Sequence, residues 1–309
     1  MDPKAKKSIF SIYEHPPPLK IAESIQDSNN SLHLYYCAGI NNFGDELSPY
    51  LLRKITNRRI VPAGSDEDGK IVAIGSLLSY EVLHSRSIVW GTGTLANRPV
   101  NILPKPFPLK RSIRTLINRI SAKKPYQAEV AAVRGPLTRN LLLQDGRACP
   151  EVYGDPALLL PRYYTPISER SGHTGLIVHY SQEEQIRKLD MASIGIKLIS
   201  IQRSGDSEIE DFINELYSCG RIFSSSLHGI VVAQAYGIPA QWIQLKGRRI
   251  HSDENHKFHD YFLGARLSVQ RPLRIKCSLD DFKALSDFRV PAVEIRNSIG
   301  DSLLSALPV

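Results

Sequence analysis

Arg221-Ile222-Phe223-Ser224-Ser225-Ser226-Leu227-His228-Gly229-Ile230-Val231-Val232-Ala233-Gln234-Ala235-Tyr236 reads as a buried strand, a polar turn and an apolar helix, closed by Gly237 and Pro239. A strand that feeds straight into a helix is the unit of a parallel sheet. The turn carries three hydroxyls at a helix start. Ser224, Ser225 and Ser226 can cap free backbone N–H groups there, and the helix dipole favours an anion at the same place. His228 falls in the first helical turn. Two readings stand side by side: a serine cap with a surface histidine, or a site that binds a phosphate or carboxylate and moves a proton on that ligand.

The same alternation extends along the chain. Strands are predicted over residues 32–37, 71–75, 88–91 and 128–133. Helices are predicted from Gly44 to about Thr56 and over residues 136–143, the second with proline at its first position. A polar, proline-bearing break over residues 161–175 leads to a second block. There strands are expected over residues 176–179, 196–201, 221–223 and 240–243, with a helix over 208–217. Alternating apolar strands and helices mean parallel sheets covered on both faces. The predicted fold is α/β, with two Rossmann-like domains facing a cleft: residues 1–165, of which 1–30 are an extension, and residues 166–309. Ligands of such sheets bind beyond the carboxyl ends of strands, where the glycine and polar clusters lie.

Composition narrows the class. The 309 residues suit two domains. Cys37, Cys149, Cys219 and Cys277 are scattered without a Cys-x-x-Cys spacing, which argues against a disulfide framework or zinc site and for a reducing compartment. Residues 1–20 are polar and proline-rich, so no secretory signal is expected, and no apolar run approaches membrane-spanning length. The net charge of +8 implies anionic partners. Its basic residues are not interleaved with aromatics, which speaks against a nucleic-acid-binding protein.

Several clusters carry chemistry or turn geometry. Asn42, Gly44 and Asp45 stand at a strand-to-helix turn, where capping explains them as well as function does. Gly91-Thr92-Gly93 follows a strand but lacks the Gly-x-Gly-x-x-Gly spacing of a dinucleotide site. Arg134 precedes Gly135-Pro136 at a helix start, where a cation opposes the dipole, and is therefore expected to hold an anion and not the fold. Asp155, in Tyr153-Gly154-Asp155-Pro156, reads as a turn former. Asp66, Glu67 and Asp68 read as a solvated loop. His179, after a strand, is either a second acid/base group or a capped turn residue. Phe258 and Phe262 are expected to pack inward at helical spacing.

Taken in order, Asn42-Phe43-Gly44-Asp45, Trp90-Gly91-Thr92-Gly93, Val133-Arg134-Gly135-Pro136-Leu137-Thr138-Arg139, Glu151-Val152-Tyr153-Gly154-Asp155-Pro156-Ala157-Leu158-Leu159 and the stretch 224–239 resemble the polysaccharide pyruvyltransferase family. The likeness covers about residues 34–263 and is nearest to the ketal pyruvyltransferases of bacterial exopolysaccharide assembly, of xanthan and succinoglycan type. No single motif is specific, but five in sequence are. Many relatives carry arginine where this chain has Ser226; the xanthan-type enzymes resemble it in having serine there. The resemblance implies the two-domain GT-B architecture, with the first domain on the acceptor side and the second holding the phosphoenolpyruvate-site helix and the C-terminal helices.

It also implies a reaction. The enolpyruvyl unit of phosphoenolpyruvate is joined to two hydroxyls of one sugar, giving a cyclic ketal and inorganic phosphate. No cofactor or metal is expected. Histidine suits the proton transfers by its ordinary pKa, and planar cations with helix N-termini suit a doubly anionic substrate. On that basis His228 and Asp45 are the expected catalytic groups. Arg134, Ser224, Ser225, Ser226, Leu227, Gly229, Lys257, Gly91, Thr92 and Gly93 are expected around phosphoenolpyruvate, and Asn42, Asp260 and His179 around the acceptor. Relatives show a string like Lys257-Phe258-His259-Asp260-Tyr261-Phe262, which is the ground for Lys257 and Asp260. A nucleotide-sugar glycosyltransferase on the same scaffold is the alternative.

Family acceptors are generally lipid-linked oligosaccharides at the inner face of the cytoplasmic membrane, so a cytoplasmic protein is expected, peripheral at that face. Residues 108–126 carry Leu109, Ile113, Leu116, Ile117 and Ile120 on one helical face, with Lys110, Arg111, Arg114, Arg119, Lys123 and Lys124 elsewhere and no acidic residue. The stripe fits a core-packed helix with a solvated basic face, or an interfacial helix that meets anionic lipid.

Overall fold

The strands of the first half pair in parallel with their neighbours, as the alternation of apolar strands and helices requires. A computed structural model describes residues 30–97, 126–246 and 253–308. The basic segment 108–126 lies outside them apart from Tyr126. The first sheet has strands β1 (Ser31–Tyr35), β2 (Arg59–Pro62), β3 (Lys70–Val72), β4 (Ser87–Trp90) and β5 (Glu129–Ala132) in the order β2-β1-β3-β4-β5, all parallel. The second has β6 (His173–Ile177), β7 (Ile196–Leu198), β8 (Cys219–Ser224), β9 (Ala240–Leu245) and β10 (Leu273–Ile275) in the order β10-β9-β8-β6-β7, again all parallel. The α/β expectation and the central strands hold. β2 and β10 were not anticipated: they are short sheet-edge strands, where one face need not be apolar. The expected break over 161–175 ends early, because β6 begins at His173.

Helix α1 (Phe43–Thr56) starts at Asn42, whose side chain accepts from Gly44 N at 3.3 Å, and ends at Asn57 in the left-handed region, φ 53°. It packs across the molecule onto α5 (Gly205–Tyr217) of the second half. Phe43 stacks on Phe212 at 3.8 Å between ring centroids. Tyr50 Oη donates to Glu210 at 3.0 Å, Lys54 pairs with Glu210 at the same distance, and Arg53 pairs with Asp206. One apolar cluster runs through both halves, from Leu32, Leu34 and Trp90 to Ile177, Ile222 and Trp242.

The chain passes between sheets through a 3-10 segment, Pro156–Arg162, packed against the helix Leu227–Ala235. The last helix, Asn297–Ser305, follows the second sheet in the chain. It returns to the first sheet: the Trp90 indole N–H donates to Leu303 O at 2.8 Å, and Arg162 reaches both Asn297 O and Asp301. Asp66, Glu67 and Asp68 are exposed as expected, with Asp68 accepting from Arg86.

Candidate active site

The turn after β8 opens helix α6 (Leu227–Ala235) at Ser226, but none of the three serines caps it. Ser224 Oγ accepts from Ser226 N at 3.0 Å and donates to Ser226 O at 2.9 Å, closing a tight turn on itself. Ser225 Oγ donates to Gln182 Oε1 at 2.7 Å and accepts from His179 N at 3.0 Å. The Ser224 hydroxyl is spent on the turn and that of Ser225 on its neighbours, and the expectation of a serine cap is corrected. Gly229 faces the Ser224 hydroxyl so closely that a β-carbon would overlap it, which gives this glycine a packing reason.

His228 is the centre of the arrangement. A β-carbon on Gly44 would overlap the imidazole Nδ1, so the start of α1 and the start of α6 meet at van der Waals contact. On its other side Nε2 faces Asp155 Oδ2 at 3.5 Å. Asp155 is 0 % exposed and the His228 side chain 13 %. Asp155 Oδ1 accepts from Ala157 N at 3.0 Å, starting the 3-10 segment. Oδ2 and His228 Nε2 are both buried without a hydrogen-bond partner among the described residues. The turn-former reading of Asp155 is right for one oxygen and misses the other.

Asp45 completes the cluster. Burial raises its carboxyl above the usual carboxylate range, against the hydrogen bond from Asn42 and the positive fields of His228 and Lys257. Asn42 Nδ2 donates to Asp45 Oδ2 at 2.7 Å, so Asn42 serves both as helix cap and as clamp on Asp45. The neighbouring Cys37 thiol is pushed up by burial and by the same carboxylate. Lys257 lies on α7 (Glu254–Gly264), its ammonium 5.6 Å from the Phe258 ring centroid. Phe258 and Phe262 are buried as expected, and Phe258 stacks on Trp242 at 4.1 Å. His179 caps the helix α4 (Tyr180–Arg187) through Nδ1, which accepts from Ser181 N at 3.3 Å, and stands beside Ser225.

Arg134 and Asp260 overturn their expected roles. Both side chains are 0 % exposed, and they pair with each other at 3.3 Å. The Arg134 guanidinium also donates to Ser76 Oγ at 2.8 Å, Thr94 O at 2.7 Å and Gly75 O at 3.3 Å. Asp260 Oδ1 accepts from Leu137 N at 2.9 Å and Thr138 N at 3.0 Å, and Oδ2 from Thr138 Oγ1 at 2.6 Å. Asp260 thus caps helix α3 (Pro136–Gln144), whose own N-cap Gly135 has no side chain to do so. Arg134 does not oppose that dipole unaided, since the carboxylate sits between. The pair is a buried joint between the two halves of the chain.

The glycine turn after β4 is filled from inside the protein. Gly91, at φ +84°, abuts Pro156, and Gly93 abuts the Arg134 guanidinium. Thr92 Oγ1 accepts from Leu77 N at 3.1 Å and donates to Gly75 O at 3.0 Å. The missing side chains of Gly91 and Gly93 thus leave room for Pro156 and Arg134 of the same chain. Thr94 Oγ1 bonds His256 Nε2 at 2.7 Å, and burial pushes His256 below the ordinary histidine value. Among the described residues no group of His, Cys, Asp and Glu side chains could hold a metal ion, and no helix is long and apolar enough to cross a membrane.

An imidazole set against a buried carboxylate on one side and a helix start on the other, at turns following strands of two parallel sheets, stands where α/β proteins place their ligand sites. The sequence model of the polysaccharide pyruvyl transferase family matches residues 8–244, and the chain belongs to that family. It is accordingly a transferase of pyruvyl groups with a saccharide acceptor. Uncharacterized protein L143 of Acanthamoeba polyphaga mimivirus is 22% identical over 303 residues, which span 93% of this chain and 94% of that one. Among solved structures, an alpha1,3-fucosyltransferase aligns over 72% of each chain at 13% identity with a TM-score of 0.21, too low to bear on the fold.

Proposed function

We propose that the chain transfers pyruvate from phosphoenolpyruvate onto two hydroxyls of one sugar in a lipid-linked exopolysaccharide repeat, forming a ketal and releasing phosphate. The observation that carries this reading is the meeting of three family motifs at one ring: Gly44 and Asp45, Asp155, and His228. The chemistry asks for it. One sugar hydroxyl adds to carbon two of the enol while carbon three gains a proton; phosphate then leaves carbon two and the second hydroxyl takes its place. Of the two protons the hydroxyls give up, one ends on carbon three and the other leaves with phosphate. A group that both accepts and returns protons is needed, and the imidazole of His228 supplies it. Asp45, held above the usual carboxylate range, is the second proton-carrying group. Lys257 supplies positive charge, and the uncapped start of α6 supplies backbone N–H groups, for the substrate's two anionic ends. Docking at the inner membrane face would bring this site to lipid-linked acceptors.

The test is phosphate release from phosphoenolpyruvate against a panel of lipid-linked and free saccharides. Release that requires a diol-bearing acceptor, with a mass gain of one pyruvate less one water on the sugar, is expected. Sugar transfer from a nucleotide-sugar with no phosphate release from phosphoenolpyruvate would replace this reading by the glycosyltransferase one.

A further inference from the structure

Resting on the reaction proposed above, we infer that Asp155 is the positioning residue of the site: its Oδ2 accepts the Nε2 proton of His228, so that Nδ1 is the nitrogen that exchanges protons with substrate. Asp155 has one oxygen committed to Ala157 N and the other turned to Nε2 at 3.5 Å. Both Oδ2 and Nε2 are buried and otherwise without a hydrogen-bond partner among the described residues. A neutral imidazole has one donor and one acceptor nitrogen, and a carboxylate beside one nitrogen selects the tautomer that donates there. The lone pair is then on Nδ1. That nitrogen lies over Gly44, one residue from Asp45 at the start of α1, while Nε2 is buried inside the protein. The same carboxylate stabilises the imidazolium formed when Nδ1 takes a proton.

The backbone around Asp155 explains how the carboxylate is aimed. Gly154 stands at φ +145°, a conformation that favours glycine, and a β-carbon there would press on Ile299 and Leu303 of the last helix. The turn is fixed on one side by the Val133–Tyr153 bridge and on the other by the 3-10 segment that begins at Pro156. The last helix therefore backs the histidine through Gly154 and Asp155, which accounts for its return to the first sheet.

Asp155→Asn separates positioning from folding, because the amide keeps the shape and the Ala157 contact but offers a donor where Nε2 needs an acceptor. Expected is a fall in kcat of roughly a hundredfold to ten-thousandfold with KM for phosphoenolpyruvate unchanged within about twofold. The tautomer is read independently of turnover, by nitrogen-15 spectra of histidine-labelled protein above the imidazole titration, with the His228 signals assigned by their loss in His228→Gln. Parent protein should show the Nε2–H form and Asp155→Asn the Nδ1–H form. An Nδ1–H ring in the parent protein overturns the inference, and does so even if the variant fails to fold. So does a variant that keeps the parent tautomer. Absence of phosphate release from phosphoenolpyruvate by the parent protein would instead defeat the proposed reaction and leave the tautomer result standing.

Discussion

Replacing Asp260 by Leu should destabilise the whole chain, and the size of the loss follows from what the carboxylate touches. Four groups lose their acceptor: Arg134 Nε, Leu137 N, Thr138 N and Thr138 Oγ1. The guanidinium is left charged and 0 % exposed. Breaking a buried pair in this way costs about 3–5 kcal/mol, and loss of a helix cap adds about 1 kcal/mol. For a chain of this length, the per-residue unfolding entropy converts the sum, about 5 kcal/mol, into a fall of roughly 8 °C in Tm if unfolding is one transition. Arg134→Met together with Asp260→Leu removes both charges from the same space and should recover most of the pair's share, leaving the cap deficit. Differential scanning calorimetry of the two single variants and the double one closes the cycle. High salt should change little, because a pair sealed from solvent is weakly screened. Arg134→Lys decides between the sequence expectation and the structure. Lysine cannot reach Ser76, Thr94 and Asp260 together, so Tm should fall while the phosphoenolpyruvate affinity of the folded fraction is kept. A variant with parental Tm and weakened affinity would refute the buried-joint account and restore Arg134 as a ligand.

His228→Ala should cut phosphate release by roughly a hundredfold or more with little change in melting temperature; near-normal release would remove His228 from the chemistry. Gly44→Ala places a methyl group against Nδ1, so turnover should drop by an order of magnitude or more, in the range of a misplaced acid/base group, while a parental rate would show that the ring has room to move. Burial raises the Asp45 carboxyl above its ordinary 3.8, and a carboxylate raised in the folded state costs stability as pH climbs past its unfolded value. Asp45→Asn should therefore melt higher than the parent at neutral pH and converge on it below pH 3.8; a constant offset across the titration would mean the gain has another source.

The alternation of strands and helices was legible because buried parallel strands are continuous apolar runs, as in Ile71-Val72-Ala73 and Ile88-Val89-Trp90. Two of the four edge strands were not, since Arg59–Pro62 and Leu273–Ile275 carry exposed and half-buried positions and no marked pattern. Local helix signals also read well where the cap is local: Asn42 does cap α1. They failed where the partner is distant. The cap of α3 comes from Asp260, 122 residues or more away in sequence, so Arg134 seemed to sit at an unprotected helix start. Asp155 shows the opposite limit: its turn was visible, but no local pattern reports which way the second carboxylate oxygen points.

That difference has a physical origin in the motif glycines. A glycine in a family motif reads as room for a substrate, yet at Gly44 and Gly93 the missing side chain leaves room for His228 and Arg134 of this same chain. Such positions bring two distant motifs to contact, and their meaning depends on the tertiary partner. The two sheets are joined by α1 against α5, by the Arg134–Asp260 pair and by the last helix under Trp90 and Gly154. Two of these joints end at His228, one through Gly44 at the start of α1 and one through Asp155. The ring's position is therefore set by the packing of one half on the other. An imidazole that must hand a proton to a small substrate needs placement within a fraction of an ångström. Here that placement comes from two helix starts and a sealed carboxylate.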